Sequence, residues 1–258
     1  MELNLYKYNL KVIVFDLDGT LSVSKTPMSS EMSTSVIELL EKYTVCVISG
    51  GSFLQFEKQI LSQLKGIEDS LLQKLFLFPT NGSTFYKYIN GTWQCVYEEK
   101  LTEDEKKMII DAWTKSIQKA GIVLQNNLYG EVMEDRGTQI TFSLCGQQAP
   151  VEIKSTCDPD MAKRSLIREA MLPLLSGFSV TIAGMTSIDI TRVGIDKAYA
   201  INKILQYLKL EKENVLFIGD KLDKGGNDFS AKTTGVNTLS VNNPNDTLVF
   251  IKDLLRIS

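Results

Sequence analysis

The 258-residue chain contains no histidine. That absence removes Ser-His-Asp and Cys-His triads, imidazole-built zinc sites and histidine phosphotransfer. Cysteine is sparse: Cys46, Cys95, Cys145 and Cys157 show no CxxC spacing, so neither a zinc nor a redox motif is supported. No apolar run approaches the ~18 residues of a membrane span, and the opening MELNLYKYNLK lacks a signal peptide's long apolar core. Neither sign of charge prevails, since 28 Lys and Arg face 31 Asp and Glu for a net charge of −3. Such balance argues against nucleic acid or an anionic membrane as the main partner. A cytoplasmic protein is expected. Chemistry is left to carboxylates, Lys, Arg, hydroxyls and a metal.

What is present is ordinary core material, 43% hydrophobic against 23% charged, in a chain long enough for one large or two modest domains. Val12–Phe15, Thr44–Ile48 and Leu75–Phe78 read as strands, alternating with helices that open near Ser29 and Phe53. The rhythm then changes. Thr84–Ile89 and Trp93–Tyr97 flank Asn90-Gly91 as a hairpin, and a helix from about Thr102 carries Ile109, Ile110, Trp113 and Ile117 on one face. Strands near Leu128–Met133, Thr138–Leu144 and Ser179–Ile182 surround a helix near Pro159–Leu175. Strand–helix alternation resumes with Ser187–Thr191, a helix near Asp196–Leu208, then Val215–Ile218, Thr238–Val241 and a last helix after Pro244. The expectation is an α/β protein: a parallel-sheet core of residues 1–83 and 187–258, with an α+β domain of residues 84–186 inserted in it.

Four sites follow strand-like runs of the expected core, and the C-terminal ends of parallel strands gather along one ligand-binding edge. Asp16-Leu17-Asp18-Gly19-Thr20 offers two carboxylates, one to attack phosphorus and one to handle the proton; a solvated strand-end turn is the plainer alternative. Ser49 and the amides after it can hold phosphoryl oxygens, or merely form a glycine turn with Ser52 as helix N-cap. Lys197 opens a helix against the dipole, which hints at a reason for its presence; pairing with Asp196 would make it an ordinary surface lysine. Gly219-Asp220-Lys221 and Gly225-Gly226-Asn227-Asp228 form an acidic, glycine-rich loop of hard oxygen ligands suited to Mg²⁺. There is no GxxxxGK[ST] phosphate loop.

In that order, acid pair, hydroxyl, lysine and acidic loop resemble the haloacid dehalogenase-like (HAD) phosphotransferases. The inserted domain resembles the C2-type cap of the Cof-like (IIB) hydrolases on a Rossmann-like core. The motifs resemble more closely the eukaryotic-type phosphomannomutases: Gly219 to Asp228 matches their GDKxxxGGND loop, Gly184 with Ser187 and Asp189 their GxxSxD segment, and Phe78-Pro79-Thr80-Asn81-Gly82 their FPENG. The resemblance implies that Asp16 is the nucleophile and Asp18 the acid–base. It implies Mg²⁺ between Asp16, the Asp18 carbonyl and Asp220, with Asp228 near or in its shell, and Ser49 and Lys197 on the phosphoryl group. Ser187, Asp189 and Asn227 become candidate substrate contacts. In the cap, Arg136 falls on one family arginine and Gln147 where a second stands; in the core, Lys25 falls on a third. A mutase must grip the distal phosphate while either end reacts, which bidentate arginines do best.

The expected activity is therefore phosphoryl transfer from a small phosphorylated sugar through Asp16. The expected acceptor is water, making a sugar-phosphate phosphatase. The alternatives are a phosphohexomutase, where a hexose hydroxyl is the acceptor, and a silent phosphosugar-binding protein, which the intact Asp16–Asp18 pair disfavours. A homodimer through the cap is admitted.

Overall fold

A computed structural model describes residues 9–124 and 127–257. The chain runs β1 (Val12–Asp16), α1 (Ser30–Lys42), β2 (Thr44–Ile48), α2 (Phe53–Gln59), α3 (Asp69–Leu72), β3 (Leu75–Phe78), β4 (Thr84–Ile89) and β5 (Thr92–Glu98). It continues through α4 (Glu103–Lys119), β6 (Met133–Asp135), β7 (Ile140–Ser143), α5 (Val151–Cys157), α6 (Ala162–Met171), β8 (Phe178–Ala183) and β9 (Ser187–Arg192). It closes with α7 (Lys197–Leu208), β10 (Val215–Gly219), α8 (Phe229–Thr233), β11 (Asn237–Ser240) and α9 (Pro244–Ile257). Two compact units result: Met1–Glu98 with Ile195–Ser258, and the inserted Glu99–Gly194.

The first unit holds a seven-stranded sheet in the order β11-β10-β1-β2-β3-β4-β5. The first five in that order run parallel, and β4 and β5 are antiparallel. Successive side chains of a strand point to opposite faces, and both faces here are apolar. Ile13, Phe15, Val45 and Val47 pack against α1 and α9; Val12, Val14, Cys46 and Ile48 pack against Ala200, Ile201 and Ile204 of α7. Burial on both faces explains why these strands read as continuous apolar runs. Each fully buried Val, Ile or Phe among them contributes about 1.5–3 kcal/mol.

The inserted unit has a four-stranded antiparallel sheet, β6-β7-β9-β8. Ile140, Phe142, Ile188 and Ile190 back onto Ile109 and Trp113 of α4 and Ile167 and Met171 of α6. Thr102 and Glu105 form a capping box, which starts α4 at the place expected for a helix beginning near Thr102. Glu105 also accepts from Arg192 Nε and Nη2 at 2.8 and 2.7 Å, tying the start of α4 to the end of β9. These guanidinium bonds pull its carboxyl down to about 2.

The expected domain limits of 84–186 move to 99–194. The hairpin turns at Asn90-Gly91, both at positive φ, but β4 pairs with β3 and so extends the core sheet. Conversely β9, expected in the core, pairs with β7 and β8. No strand forms at 128–132, because Gly130 is left-handed and Tyr129 bonds the Cys145–Gln148 turn instead. The helix expected at 159–175 begins at Ala162 and is preceded by a separate α5. Asp158 divides them: its carboxylate accepts from Lys163 and Arg164 N–H at 3.0 and 3.2 Å. Ser52 occupies the N-cap of α2 without a side-chain capping bond. No described helix is long and apolar enough to cross a membrane.

Arg164 and Asp158 form an ion pair at 2.7 Å, their side chains 2% and 1% exposed. Arg164 Nη1 also donates to the Ala183 and Gly184 carbonyls, fixing the turn between β8 and β9. Arg164→Met would strand the Asp158 charge in the interior, and breaking one partner of such a pair costs about 3–5 kcal/mol. A correspondingly lower unfolding temperature is expected, partly restored by adding Asp158→Asn. An unchanged melting curve for Arg164→Met would reject this role.

Candidate active site

Strand register assembles the site. Asp16 ends β1 opposite Ile48, so Ser49 stands one residue beyond it. On the other side Phe15 pairs with Ile218, which carries Gly219 and Asp220 to the same edge. Lys197 arrives from α7. Asp196, its expected surface partner, instead caps that helix by accepting from Tyr199 N–H at 3.0 Å. Freed from that pairing, the Lys197 ammonium turns inward, 1% exposed, and bonds Asp16 Oδ1, the Ile48 carbonyl at 2.8 Å and Asp228 Oδ1 at 3.5 Å. Two glycines make the room. A Cβ on Gly19, which sits at φ +94°, would collide with the Asp220 carboxylate, and one on Gly219 with that of Asp228.

Burial pushes the Asp16 carboxyl up to about 7; Lys197 pulls it back, while Asp228 and Asp220 repel its charge. Burial alone would depress Lys197, but Asp16 and Asp228 outweigh it and hold the ammonium above its ordinary value. Burial also raises Asp220. Three ionised carboxylates against one ammonium would leave two negative charges in a low-dielectric pocket, an expensive arrangement without a counter-charge. Asp16, Asp220 and Asp228 each offer an oxygen within 4.8 Å of the others. Asp16 Oδ2 and Asp220 Oδ1 are buried with no hydrogen-bond partner. An all-oxygen set with orphaned acceptors and excess negative charge fits a hard divalent cation.

The remaining candidates fall in two places. Ser49 is buried, and its hydroxyl accepts from Gly51 N–H at 3.1 Å, keeping its own proton for donation. Lys25 is exposed, and its backbone N–H, at φ 60°, donates to Asp18 Oδ1 at 2.7 Å. Asn227 is exposed beside Asp228, to which its amide donates at 3.4 Å. Arg136, Gln147, Ser187 and Asp189 lie in the inserted unit. Arg136 pairs with Glu134 at 2.6 Å, whereas the adjacent Asp135 pairs with Lys106 at 2.9 Å. The Gln147 amide donates to the Val132 and Thr141 carbonyls at 3.1 and 3.2 Å. Asp189 Oδ1 accepts from Thr141 Oγ1 at 2.9 Å.

Sequence reasoning missed Glu134, Thr141 and Gln59, whose Nε2 donates to Asp18 Oδ1 at 3.0 Å. A signal existed for Gln59, a polar residue on the buried stripe that also carries Phe56 and Ile60.

Residues 32–257 match the family Eukaryotic phosphomannomutase. The phosphomannomutase of Schizosaccharomyces pombe is 26% identical, over 97% of this chain and 96% of its own length. That of Encephalitozoon cuniculi is 29% identical, over 95% and 93%. Among solved structures, a haloacid dehalogenase-like hydrolase from Bacteroides thetaiotaomicron superposes with TM-score 0.63 at 16% identity, covering 95% of this chain and 99% of that one. The parallel sheet with its inserted unit, and the carboxylates gathered at the end of β1, define an enzyme of the haloacid dehalogenase-like superfamily. Within that superfamily the chain belongs to the eukaryotic phosphomannomutase family.

Proposed function

We propose that this chain is a Mg²⁺-dependent phosphohexomutase that moves a phosphoryl group between two hydroxyls of a hexose such as mannose. The observation that carries the reading is the Asp16–Lys197–Asp220–Asp228 cluster, in a chain whose relatives over almost its whole length are phosphomannomutases. The expectation of water as acceptor yields to this family membership.

Asp16 attacks phosphorus, the phosphorus–sugar oxygen bond breaks, and Asp18 gives that oxygen its proton. Asp18 then takes a proton from the acceptor hydroxyl, whose oxygen attacks the aspartyl-phosphate and releases Asp16. Lys197 and the Ser49 hydroxyl stabilise the charge spread over the equatorial oxygens. Asp16, the Asp18 carbonyl and Asp220, with Asp228 in support, would hold Mg²⁺, which supplies neutralising charge to the phosphoryl oxygens. Ser187 and Asp189 contact sugar hydroxyls. Thr141, donating to Asp189 Oδ1, orients that carboxylate.

A second reading, net hydrolysis, is favoured by one specific feature. The Glu134 carboxylate bonded to Arg136 Nη2 offsets that residue's charge, and the Gln147 amide donates to backbone carbonyls, which weakens both as donors to a distal phosphate. One assay separates the readings. With Mg²⁺ and catalytic hexose 1,6-bisphosphate, conversion of mannose-1-phosphate to mannose-6-phosphate is expected to exceed phosphate release. EDTA is expected to stop both, and added Mg²⁺ to restore them. Phosphate release well above conversion would establish the second reading; full activity after exhaustive metal removal would sink the metal role in either.

A further inference from the structure

Asp18 is held by more than the turn it lies in. Gln59, the last residue of α2, is 2% exposed. Its Nε2 lies 3.0 Å from Asp18 Oδ1, 3.1 Å from Ser22 Oγ and 3.3 Å from the Thr26 carbonyl. A carboxylate and a carbonyl can only accept, so the amide must present its NH₂ end to them. Its other end, Oε1, is buried with no hydrogen-bond partner. An orphaned buried carbonyl is a cost to folding that an apolar residue of similar shape would avoid. The amide is therefore not placed to satisfy both of its ends: its NH₂ serves Asp18, Ser22 and Thr26 while its oxygen goes unpaired. The Lys25 N–H reaches the same oxygen at 2.7 Å from a left-handed backbone. Both donors act on Oδ1, and Oδ2 has no hydrogen bond to the described residues.

We propose that Gln59 is a positioning residue for the acid–base group: with the Lys25 amide it anchors Asp18 Oδ1 and leaves Oδ2 to carry the proton. The inference rests on the acid–base role proposed for Asp18. In the first half-reaction the proton leaves Oδ2 for the departing oxygen as its bond to phosphorus breaks. A basic leaving group needs that proton, whereas a nitrophenolate departs without it. Loss of Gln59 should therefore hurt in proportion to leaving-group basicity, whereas generalised damage would slow every substrate alike.

The test compares kcat/KM, which reads only through the first irreversible step, for the Mg²⁺-loaded wild type, Gln59→Met and Gln59→Ala. The substrates are aryl phosphates running from p-nitrophenyl to phenyl phosphate, together with a hexose monophosphate. For phenyl and hexose phosphates a loss of roughly ten- to hundredfold is expected, part of the 10²–10⁴ that positioned proton transfer contributes. For p-nitrophenyl phosphate the loss should stay within about threefold, which steepens the dependence on leaving-group pKa. Gln59→Met removes the orphaned Oε1 but also the bonds to Ser22 and the Thr26 carbonyl, so only a small change in unfolding temperature is expected; Gln59→Ala carries the comparison should Gln59→Met not fold. Equal losses across the series, or none, would overturn the proposal. Wild-type turnover of the aryl series with no action on hexose phosphates would reject the hexose reading and leave this test in force.

Discussion

Asp16→Asn is expected to abolish phosphoryl transfer to below detection while leaving the fold intact. An amide nitrogen or carbonyl cannot form the acyl phosphate through which both half-reactions pass, so no weaker route remains. The fold should tolerate the change because asparagine keeps the shape of the side chain. It also removes a carboxylate that burial disfavours and that Asp228 and Asp220 repel. Lys197 keeps its bond to the Ile48 carbonyl and its pairing with Asp228. In EDTA, where no cation offsets the crowded carboxylates, the unfolding temperature of Asp16→Asn should therefore not fall below that of the wild type. Circular dichroism melts and a phosphate-release assay on a sample shown free of deamidation read both halves. Residual turnover near wild type would remove Asp16 from the nucleophile's role, and a melt lower by many degrees would recast it as a structural partner of Lys197.

The second large effect is expected at Lys197. Lys197→Met should lower kcat/KM on the order of a hundredfold to a thousandfold, the range seen when one preorganised donor to a developing charge is removed. Unlike Asp16→Asn, it should also destabilise the metal-free protein. Among the described residues the ammonium is the one cation bonded to both Asp16 and Asp228, and without it those carboxylates face each other without a counter-charge in the interior. Added Mg²⁺ should then raise the variant's unfolding temperature by more than the wild type's, because the cation meets more uncompensated charge. Activity close to wild type would place the Lys197 charge outside phosphoryl transfer. A wild-type melt in EDTA would show that the Asp16–Lys197–Asp228 contacts do not stabilise the fold.

The carboxylates were legible in the sequence because they are addressed locally. VIVF followed by Asp16, and VLFIG followed by Asp220, are apolar runs ending in a charge, and a parallel sheet brings such ends to one edge whatever the details of pairing. Ser49 followed the same rule after TVCVI. Lys197 was legible only as an oddity, a cation at a helix start. That it turns inward depended on Asp196 being taken as the N-cap and on Asp16 and Asp228 lying together beneath it.

By itself, then, the sequence determined the element types of the core, the strand-end residues that can meet, and, through the absence of histidine, the oxygen-and-lysine character of the chemistry. Hydrophobic period carries no partner's address. Ile188 and Ile190 are buried in β9 just as they would be in a core strand, and only pairing with β7 and β8 assigned that strand to the inserted unit. The same holds for β4, placed in the core sheet by its contact with β3. Side-chain pairing is likewise a matter of distance in space. Gln59 meets Asp18 across 41 residues and Thr141 meets Asp189 across 48. Arg136 and Glu134 lie only two residues apart, and they meet where the chain leaves β6 and turns toward β7, Arg136 N–H bonding the Gln139 carbonyl there. Those contacts arise when the chain closes on itself, and they are what decide which carboxylate oxygen is left to move a proton and which cations are left to hold a phosphate.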